Sequence, residues 1–398
     1  MGKKSIVVAI VLLVLTFVVS GFGSFTYAKE VRGVTEKTIK IGAMHGLTGP
    51  SAFEGIQFIE GFKTYFKHIN DQGGINGRKV KVIAEDDPMS IPVALAGFKK
   101  LVYRDKAIGF FGPTSVGELA ALFKMIEKEK FVTISLNPTP LAIKPLKKYV
   151  FLTTSTYEQQ VMAEFDYIMN GLKAKNPRIA TAYPDMGGTG KTWRDAVRKC
   201  ARLYNVKVVS EVVFSMGAID ASTEIISLKR AKPDYLFHVP TLSSALLLMR
   251  EARKYGFSTT FFGSMYSTTD AVVKMAGKSA KNAYGVHSFD SYFSDAPAMA
   301  EFRKIHKKYN PKLKYQSRCI LQGWIPALLF AEGMKKAGRD LNSDSLVEGL
   351  ESLGEVDVKG ICSPVTMSST NHQALRYSRI YKANLEKGMF EPVSDWMK

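Results

Sequence analysis

Short runs of β-branched and aromatic residues alternate along the chain with longer segments in which apolar residues recur every three or four positions. The first such run, TIKIGAMH at 38–45, predicts a strand, and the spacing from Phe53 to Ile69 predicts an amphipathic helix. Further predicted strands, with helical patterns between them, lie at 79–86, 107–111 and 131–135. This alternation predicts a parallel sheet covered by helices on both faces.

A second round of the same alternation begins after residue 150. Its predicted strands lie at 178–184, 206–214, 234–240 and 259–264, and an alternating terminal stretch predicts a hairpin. Two rounds predict an α/β fold with two Rossmann-like lobes. Such lobes bind ligands at the carboxyl ends of their strands, so the strand-to-helix turns hold the candidate site.

Length and composition are compatible with this architecture. The 398 residues, 46% of them apolar and 23% charged, suit a globular protein of two or three domains. The formal charge of +19 would permit nucleic-acid binding, but the Lys and Arg residues are scattered and form no recognised motif. The sequence therefore predicts a solvated basic surface and no nucleic-acid partner.

The N-terminus is typical of a signal peptide. Lys3 and Lys4 precede an apolar run from Ile6 to Val19, and Thr26 and Ala28 place small residues at both cleavage-site positions. We expect residues 1–28 to be removed after Ala28 and the mature chain to be periplasmic. An uncleaved anchor is the alternative, because the apolar stretch is nearly long enough to span a bilayer.

Three cysteines are too few for a disulfide framework. In an oxidising compartment one disulfide could form, and Cys319 with Cys362 is the candidate pair. The alternative is that these two residues and Cys200 are all buried thiols.

Motifs for catalysis or metal binding are missing from the sequence. The stretch DMGGTGKT at 185–192 resembles a phosphate loop, but Asp185 stands where the first glycine is required and would repel phosphate. We interpret it as a glycine-rich start of a helix that lines the crevice. The histidines lack metal-ligand spacing, so no metal, cofactor or enzymatic activity is predicted. His45 and His238 end predicted strands and are candidate ligand contacts, with a structural role as the alternative.

Two turns combine hydroxyl groups with free backbone N–H groups. Thr114-Ser115 follows one predicted strand, and Asn137-Pro138-Thr139 follows the next. Neighbouring turns of this kind suit a ligand carboxylate. Ser115 is equally expected to cap its helix, and the two roles are compatible.

Seven stretches in order resemble the leucine/isoleucine/valine-binding family of periplasmic receptors for ABC importers. They include IGAMHGLTGPSAFEG, DQGGINGRKVKVIAEDD, FFGPTSVG with FVTISLNPTP, FLTTSTYEQQ and YPDMGGTG, and later QGWIPALLFAEGMKKAGRDLNSDSLVEGLESL and SPVTMSSTNHQALRYSRIYK. The resemblance implies two lobes joined by three crossovers that close on a ligand like a hinge. Lobe 1 would comprise 36–152 plus 289–362, and lobe 2 would comprise 156–285 plus 366–398.

The resemblance also implies roles for individual residues. Ser115 and Thr139, with backbone groups of Thr114 and Asn137, would hold a ligand carboxylate, and Phe53 or Glu54 would form pocket wall. Further pocket residues would be Tyr157, Tyr183, Tyr266 and the turn 239–241.

Met265 falls where the family has an acid that pairs with the ligand ammonium. Asp185, Asp270 or Glu54 would have to substitute for it, because a desolvated ammonium needs a carboxylate partner. Otherwise the ligand is an aromatic or aliphatic acid without an amino group, and the replacement of the family acid by Met265 favours this alternative.

The implied function is that of a monomeric receptor that captures a small carboxylate ligand and docks to a membrane permease. Alternatives are an amide or amino-acid sensor of the same fold and, more remotely, an exported enzyme.

Overall fold

Two sheets organise the chain in this computed structural model, which describes residues 31–186, 188–239, 241–312 and 316–398. The predicted signal peptide lies outside these residues. The first sheet has the order β2-β1-β3-β4-β5, and every pair in it is parallel. Its strands are β1 (Thr38–Met44), β2 (Lys79–Glu85), β3 (Gly109–Phe111), β4 (Val132–Ser135) and β5 (Val150–Leu152).

The second sheet has the order β14-β13-β10-β9-β8-β6-β7. Its strands β6 to β10 are parallel, whereas β13 and β14 form the predicted antiparallel terminal hairpin. They are β6 (Arg178–Pro184), β7 (Lys207–Phe214), β8 (Tyr235–His238), β9 (Thr260–Gly263), β10 (Ala283–His287), β13 (Arg379–Asn384) and β14 (Met389–Pro392). A separate pair, β11 (Gly354–Val356) with β12 (Val365–Met367), was not predicted.

Helices connect the strands as the apolar periodicity predicts. In order they are α1 (Ala52–Asp71), α2 (Ile91–Lys99), α3 (Val116–Glu129), α4 (Tyr157–Asp166), α5 (Thr189–Leu203), α6 (Ser222–Ala231), α7 (Leu242–Lys254), α8 (Asp270–Ala276), α9 (Pro297–Tyr309), α10 (Cys319–Ala337) and α11 (Ser343–Glu351). The helical pattern after β2 forms an α-helix only as far as Lys99, and the chain continues as one turn of π-helix from Lys100 to Arg104.

The segments that pass between the sheets run side by side. Leu152 forms a bridge with Gln373, and Phe289 forms one with Cys362. This arrangement agrees with a two-lobed fold, while the residue boundaries of the lobes remain a prediction.

Helices α1 and α10 pack against each other in the half of the molecule built on the first sheet. A Cβ atom on Gly61 would lie 2.0 Å from the Ile320 carbonyl oxygen, and one on Gly323 would lie 1.8 Å from the Phe58 carbonyl oxygen. Real Cβ atoms cannot approach backbone so closely, so the two glycines permit this crossing. On the sheet side, the rings of Phe62 and Phe111 stack at 5.1 Å.

The candidate disulfide between Cys319 and Cys362 does not form. Cys200, Cys319 and Cys362 are all free and buried, which was the alternative. Within the described ranges, no helix combines the length and apolarity that crossing a bilayer requires.

Candidate functional site

A cavity lies where loops at the carboxyl ends of the two sheets meet. It measures about 380 Å³, counting the part open to solvent. The residues that line it are Ser51, Glu54, Phe58, Met89, Thr114, Asn137, Tyr157, Met186, Thr189, Thr241 and Tyr266. They come from both halves of the molecule, so the crevice predicted from the strand-to-helix turns exists.

Six of the residues predicted for the site line this cavity: Glu54, Thr114, Asn137, Tyr157, Thr241 and Tyr266. Met186 and Thr189 flank the glycine-rich stretch, as expected of a helix start that lines the crevice. Ser51, Phe58 and Met89 were not predicted. Ser51 and Phe58 lie on the same helical start as Glu54, which could have indicated them, whereas nothing in the sequence distinguishes Met89.

Glu54 spans the cleft. Its Oε1 accepts a hydrogen bond from the backbone N–H of Leu242 at 2.8 Å, at the first residue of α7. That N–H is one of the donors that a helix leaves unsatisfied at its positive end. The residue is only 3% exposed, and burial raises the pKa of its carboxyl to about 7. Its other oxygen, Oε2, is buried without a hydrogen-bond partner.

A second bond crosses the cleft from the turn after β9. The Tyr266 hydroxyl donates to the Leu136 carbonyl oxygen at 2.5 Å. Met265, the preceding residue, does not line the cavity: it is fully buried and its Sδ accepts a hydrogen bond from the Thr154 hydroxyl. The residue of this turn that reaches the cavity is therefore Tyr266.

Thr114 is held by a carboxylate that sequence reasoning missed. Its N–H donates to Asp87 Oδ2 at 2.9 Å, and its hydroxyl donates to Asp87 Oδ1 at 2.6 Å. The same hydroxyl oxygen accepts the Gly46 N–H at 2.7 Å. Asp87 is fully buried at the end of β2.

Ser115 is engaged in a capping box instead of facing the cavity. Its N–H donates to Glu118 Oε2 at 2.7 Å, and its hydroxyl accepts the Glu118 N–H at 3.3 Å. The expected capping role is confirmed. The backbone N–H of Thr114, expected to hold a ligand carboxylate, is already bound to Asp87. Burial and the neighbouring Asp87 raise the pKa of the Glu118 carboxyl to about 8. The Ser-x-x-Glu spacing was the signal that indicates such a box.

The second hydroxyl turn also bonds internally. Thr139 caps a short 3₁₀ turn by accepting the Leu141 N–H at 3.3 Å, and it does not line the cavity. Asn137 does line it, and its Nδ2 donates to the Pro113 carbonyl and to the Ser135 hydroxyl, at 2.8 and 3.1 Å.

The two strand-end histidines are buried and do not line the cavity. The His45 ring lies 4.3 Å from the Phe111 ring, and burial lowers its pKa to about 3. Burial likewise lowers the pKa of His238 to about 4. Both are neutral at physiological pH, which fits the structural alternative.

The remaining candidates lie outside the cavity lining. Phe53 is half-buried and packs against the core of the second sheet, and Tyr183 is buried in a neighbouring cluster. Asp185 is exposed. Asp270 accepts hydrogen bonds from Ser291 and Phe390 and lies 3.7 Å from Arg318. Of the proposed acidic substitutes, Glu54 alone lines the cavity. No metal-ligating cluster occurs among the residues that the structure describes.

Comparison with known proteins extends over most of the chain. Residues 38–388 match the family model described as periplasmic binding protein. The amino acid binding protein of Pseudomonas aeruginosa is 26% identical over 240 residues, which cover 60% of this chain and 63% of that relative. The aligned part thus covers slightly less than two thirds of the relative's length.

Two solved structures share the fold. A branched chain amino acid ABC transporter protein from Thermus thermophilus with bound valine gives a TM-score of 0.84 at 20% identity, covering 92% of this chain and 97% of that one. A fatty acid ABC transporter substrate-binding protein from Thermomonospora curvata gives 0.83 at 21% identity, covering 93% and 94%. The predicted two-lobed α/β fold is confirmed.

Proposed function

The chain belongs to the periplasmic binding protein family, and from that premise we propose that it is the periplasmic receptor of an ABC importer for a small amine. The ligand binds in the cleft, its ammonium group contacts Glu54, and the two halves close over it. No chemical step is involved. Monomeric action and docking of the closed form to a permease are part of the proposal.

The free Oε2 of Glu54 carries the proposal. A buried carboxylate oxygen without a partner is costly, because burial removes the water that would otherwise solvate it. A ligand ammonium would supply the missing hydrogen bond and stabilise the ionised form of the carboxyl. It would do so beside the helix end that already holds Oε1.

The rest of the cavity is compatible with a cationic ligand. None of the described residues that line it is Lys, Arg or His. Phe58, Met89, Met186 and the two tyrosines offer apolar surface for a compact aliphatic or aromatic body.

This proposal differs from the desamino acid favoured by sequence. That expectation rested on Met265 replacing an acid within the cleft, but Met265 lies outside the cavity lining and Glu54 supplies a carboxylate there. The valine-bound and fatty-acid relatives share the fold, so the fold alone does not select between ligand types.

Four probes of similar shape test the proposal: leucine, leucinamide, 4-methylpentanoate and 4-methylpentanamide, with the alanine and phenylalanine analogues covering other sizes. We expect ammonium-bearing probes to raise the melting temperature by mass action and to remain chemically unchanged. Glu54→Gln should weaken their binding about tenfold or more, since a charge-assisted hydrogen bond is lost.

Glu60→Gln is the matched control, because Glu60 lies on the same helix and pairs with Lys63 away from the cavity. Equal binding of probes with and without the ammonium, unchanged by Glu54→Gln, would refute the proposal. Stimulation of a permease ATPase by the closed form would distinguish an importer from a sensor.

A further inference from the structure

We propose that Asp87 determines ligand preference at the Thr114 side of the cleft, so that the ligand's second polar group there donates hydrogen bonds. The favoured ligands are amino amides, amino alcohols or diamines, and a carboxylate is disfavoured at this position. The inference rests on the proposed function only in placing a small ligand in the cleft.

The hydroxyl of Thr114 has no proton left for a ligand. A hydroxyl has one hydrogen and two lone pairs. The hydrogen is donated to Asp87 Oδ1 at 2.6 Å, and one lone pair accepts the Gly46 N–H at 2.7 Å. One lone pair remains, so Thr114 can only accept a hydrogen bond from a ligand.

The side chains of Asn137 and Tyr266 likewise keep a hydrogen-bond acceptor but no free hydrogen. Both amide hydrogens of Asn137 are donated within the protein, whereas its Oδ1 has no hydrogen-bond partner among the described residues. The Tyr266 hydroxyl gives its hydrogen to Leu136 and keeps an acceptor lone pair. All three residues line the cavity, and each keeps a hydrogen-bond acceptor but no free side-chain hydrogen.

Asp87 and Glu118 form a buried pair of acids. The Thr114 hydroxyl donates to Asp87 only if Asp87 is the ionised member of this pair. Asp87 accepts N–H groups of Thr114 and Met89 together with the Thr114 hydroxyl. Glu118 accepts one N–H and leaves Oε1 unpaired. Burial raises the pKa of Asp87 against the effect of these three bonds, and burial together with Asp87 raises the pKa of Glu118. Because Asp87 accepts three donors and Glu118 accepts one, the hydrogen bonds favour Asp87 as the ionised member of the pair.

A ligand carboxylate at this position would face acceptors on its near side and the buried Asp87 behind them. Each acceptor lone pair would oppose a carboxylate oxygen, and the local charges would repel. A carboxamide has nearly the same shape, carries no charge and offers two N–H donors. The difference between these two groups therefore isolates the proposed effect.

The four probes named above separate the two proposals. The effect of the Thr114 side is measured by comparing the affinity of leucinamide with that of leucine, and the affinity of 4-methylpentanamide with that of 4-methylpentanoate. Leucine against 4-methylpentanoate reports Glu54. In isothermal titration of the wild-type protein we expect each carboxamide to bind about tenfold or more tightly than its carboxylate. Tighter or equal binding of the carboxylates, or no binding by any carboxamide in the three size series, would overturn the inference.

Asp87→Asn tests the residue itself. The new amide can donate to the Thr114 oxygen, which frees the hydroxyl hydrogen for the cleft. The carboxamide-to-carboxylate affinity ratio should then fall about tenfold or more.

Asp86→Asn is the matched control, since it removes one neighbouring carboxylate whose bonds go to Leu47 and Thr48 instead. An equal change of the ratio in both variants, or no change in Asp87→Asn, would exclude the role of Asp87. The wild-type comparison decides the ligand preference even if Asp87→Asn fails to fold.

Discussion

The Glu54 carboxylate accepts the backbone N–H of Leu242 at 2.8 Å, and this bond joins the start of α1 to the start of α7 across the cleft. A side chain of one half thus occupies the helix terminus of the other. The residue lines the cavity, and the second oxygen of its carboxylate is buried without a hydrogen-bond partner.

Binding of an amine that stays protonated around pH 7 should depend on the ionisation of Glu54. Its pKa in the free protein is about 7, and a bound ammonium lowers it. We expect the affinity for 3-methylbutylamine to rise as pH increases through 7 and proton release to accompany binding. Isothermal titration in buffers of different ionisation enthalpy measures both. A flat profile in the wild-type protein, or the same slope in Glu54→Gln, would contradict this linkage.

Glu118 should make the protein less stable as pH rises. Its folded pKa of about 8 exceeds the unfolded value of 4.5, so the folded state binds the additional proton between these values. The free energy of unfolding then falls over this window by at most ~1.4 kcal/mol per pH unit from this group. Urea unfolding of Glu118→Gln at several pH values should show a flatter dependence. The exposed Glu355→Gln variant should keep the wild-type slope.

Removing the Tyr266 hydroxyl should favour opening of the cleft. Tyr266→Phe loses the 2.5 Å bond to the Leu136 carbonyl, which should destabilise the closed state relative to the open state by about 1 kcal/mol. Small-angle scattering should detect a larger radius of gyration in the variant without ligand. Tyr235→Phe is the control, because the described residues give its hydroxyl no hydrogen-bond partner. An unchanged radius for Tyr266→Phe would show that this bond does not hold the halves together.

Ser115 should matter for stability and not for ligand affinity. Ser115→Ala removes the hydroxyl that caps α3, which should lower the free energy of unfolding by about 1 kcal/mol. Probe affinities should stay at wild-type values when measured below the unfolding transition. A selective loss of carboxylate binding would restore the role that the sequence predicted for this residue.

The three thiols should be unreactive in the folded protein. Burial raises the pKa of Cys200 and Cys319 to about 12 and that of Cys362 further, so little thiolate forms. Ellman's reagent should detect no thiol in native conditions and all three in denaturant without reductant. Only one reactive thiol in denaturant would indicate a disulfide after all.

Most of the fold was predictable because it depends on residue periodicity. The alternation of β-branched runs with helical spacing predicted the terminal hairpin and all of the parallel strands except β5 and β10. The short strand β5 and the β11–β12 pair have three residues per strand, too few to show a period.

The sequence predicted where the cavity lies, but not which of its side chains donate hydrogen bonds and which accept them. Strand ends located Thr114 and Asn137, since parallel strands end at one edge. Whether the hydroxyl hydrogen of Thr114 is free depends on Asp87, 27 residues away in the chain. Met265 and Tyr266 are adjacent in one turn, and the conformation of that turn decides that Tyr266 lines the cavity.

The glycine contacts between α1 and α10 leave the helix that carries Glu54 and Phe58 little freedom to adjust. Alanine at Gly61 or Gly323 would push the two backbones apart, and the shift would carry both cavity residues with it. Natural variation at this crossing is therefore a route by which ligand selectivity changes without any substitution in the cleft. Directed evolution libraries confined to the cavity lining would miss it.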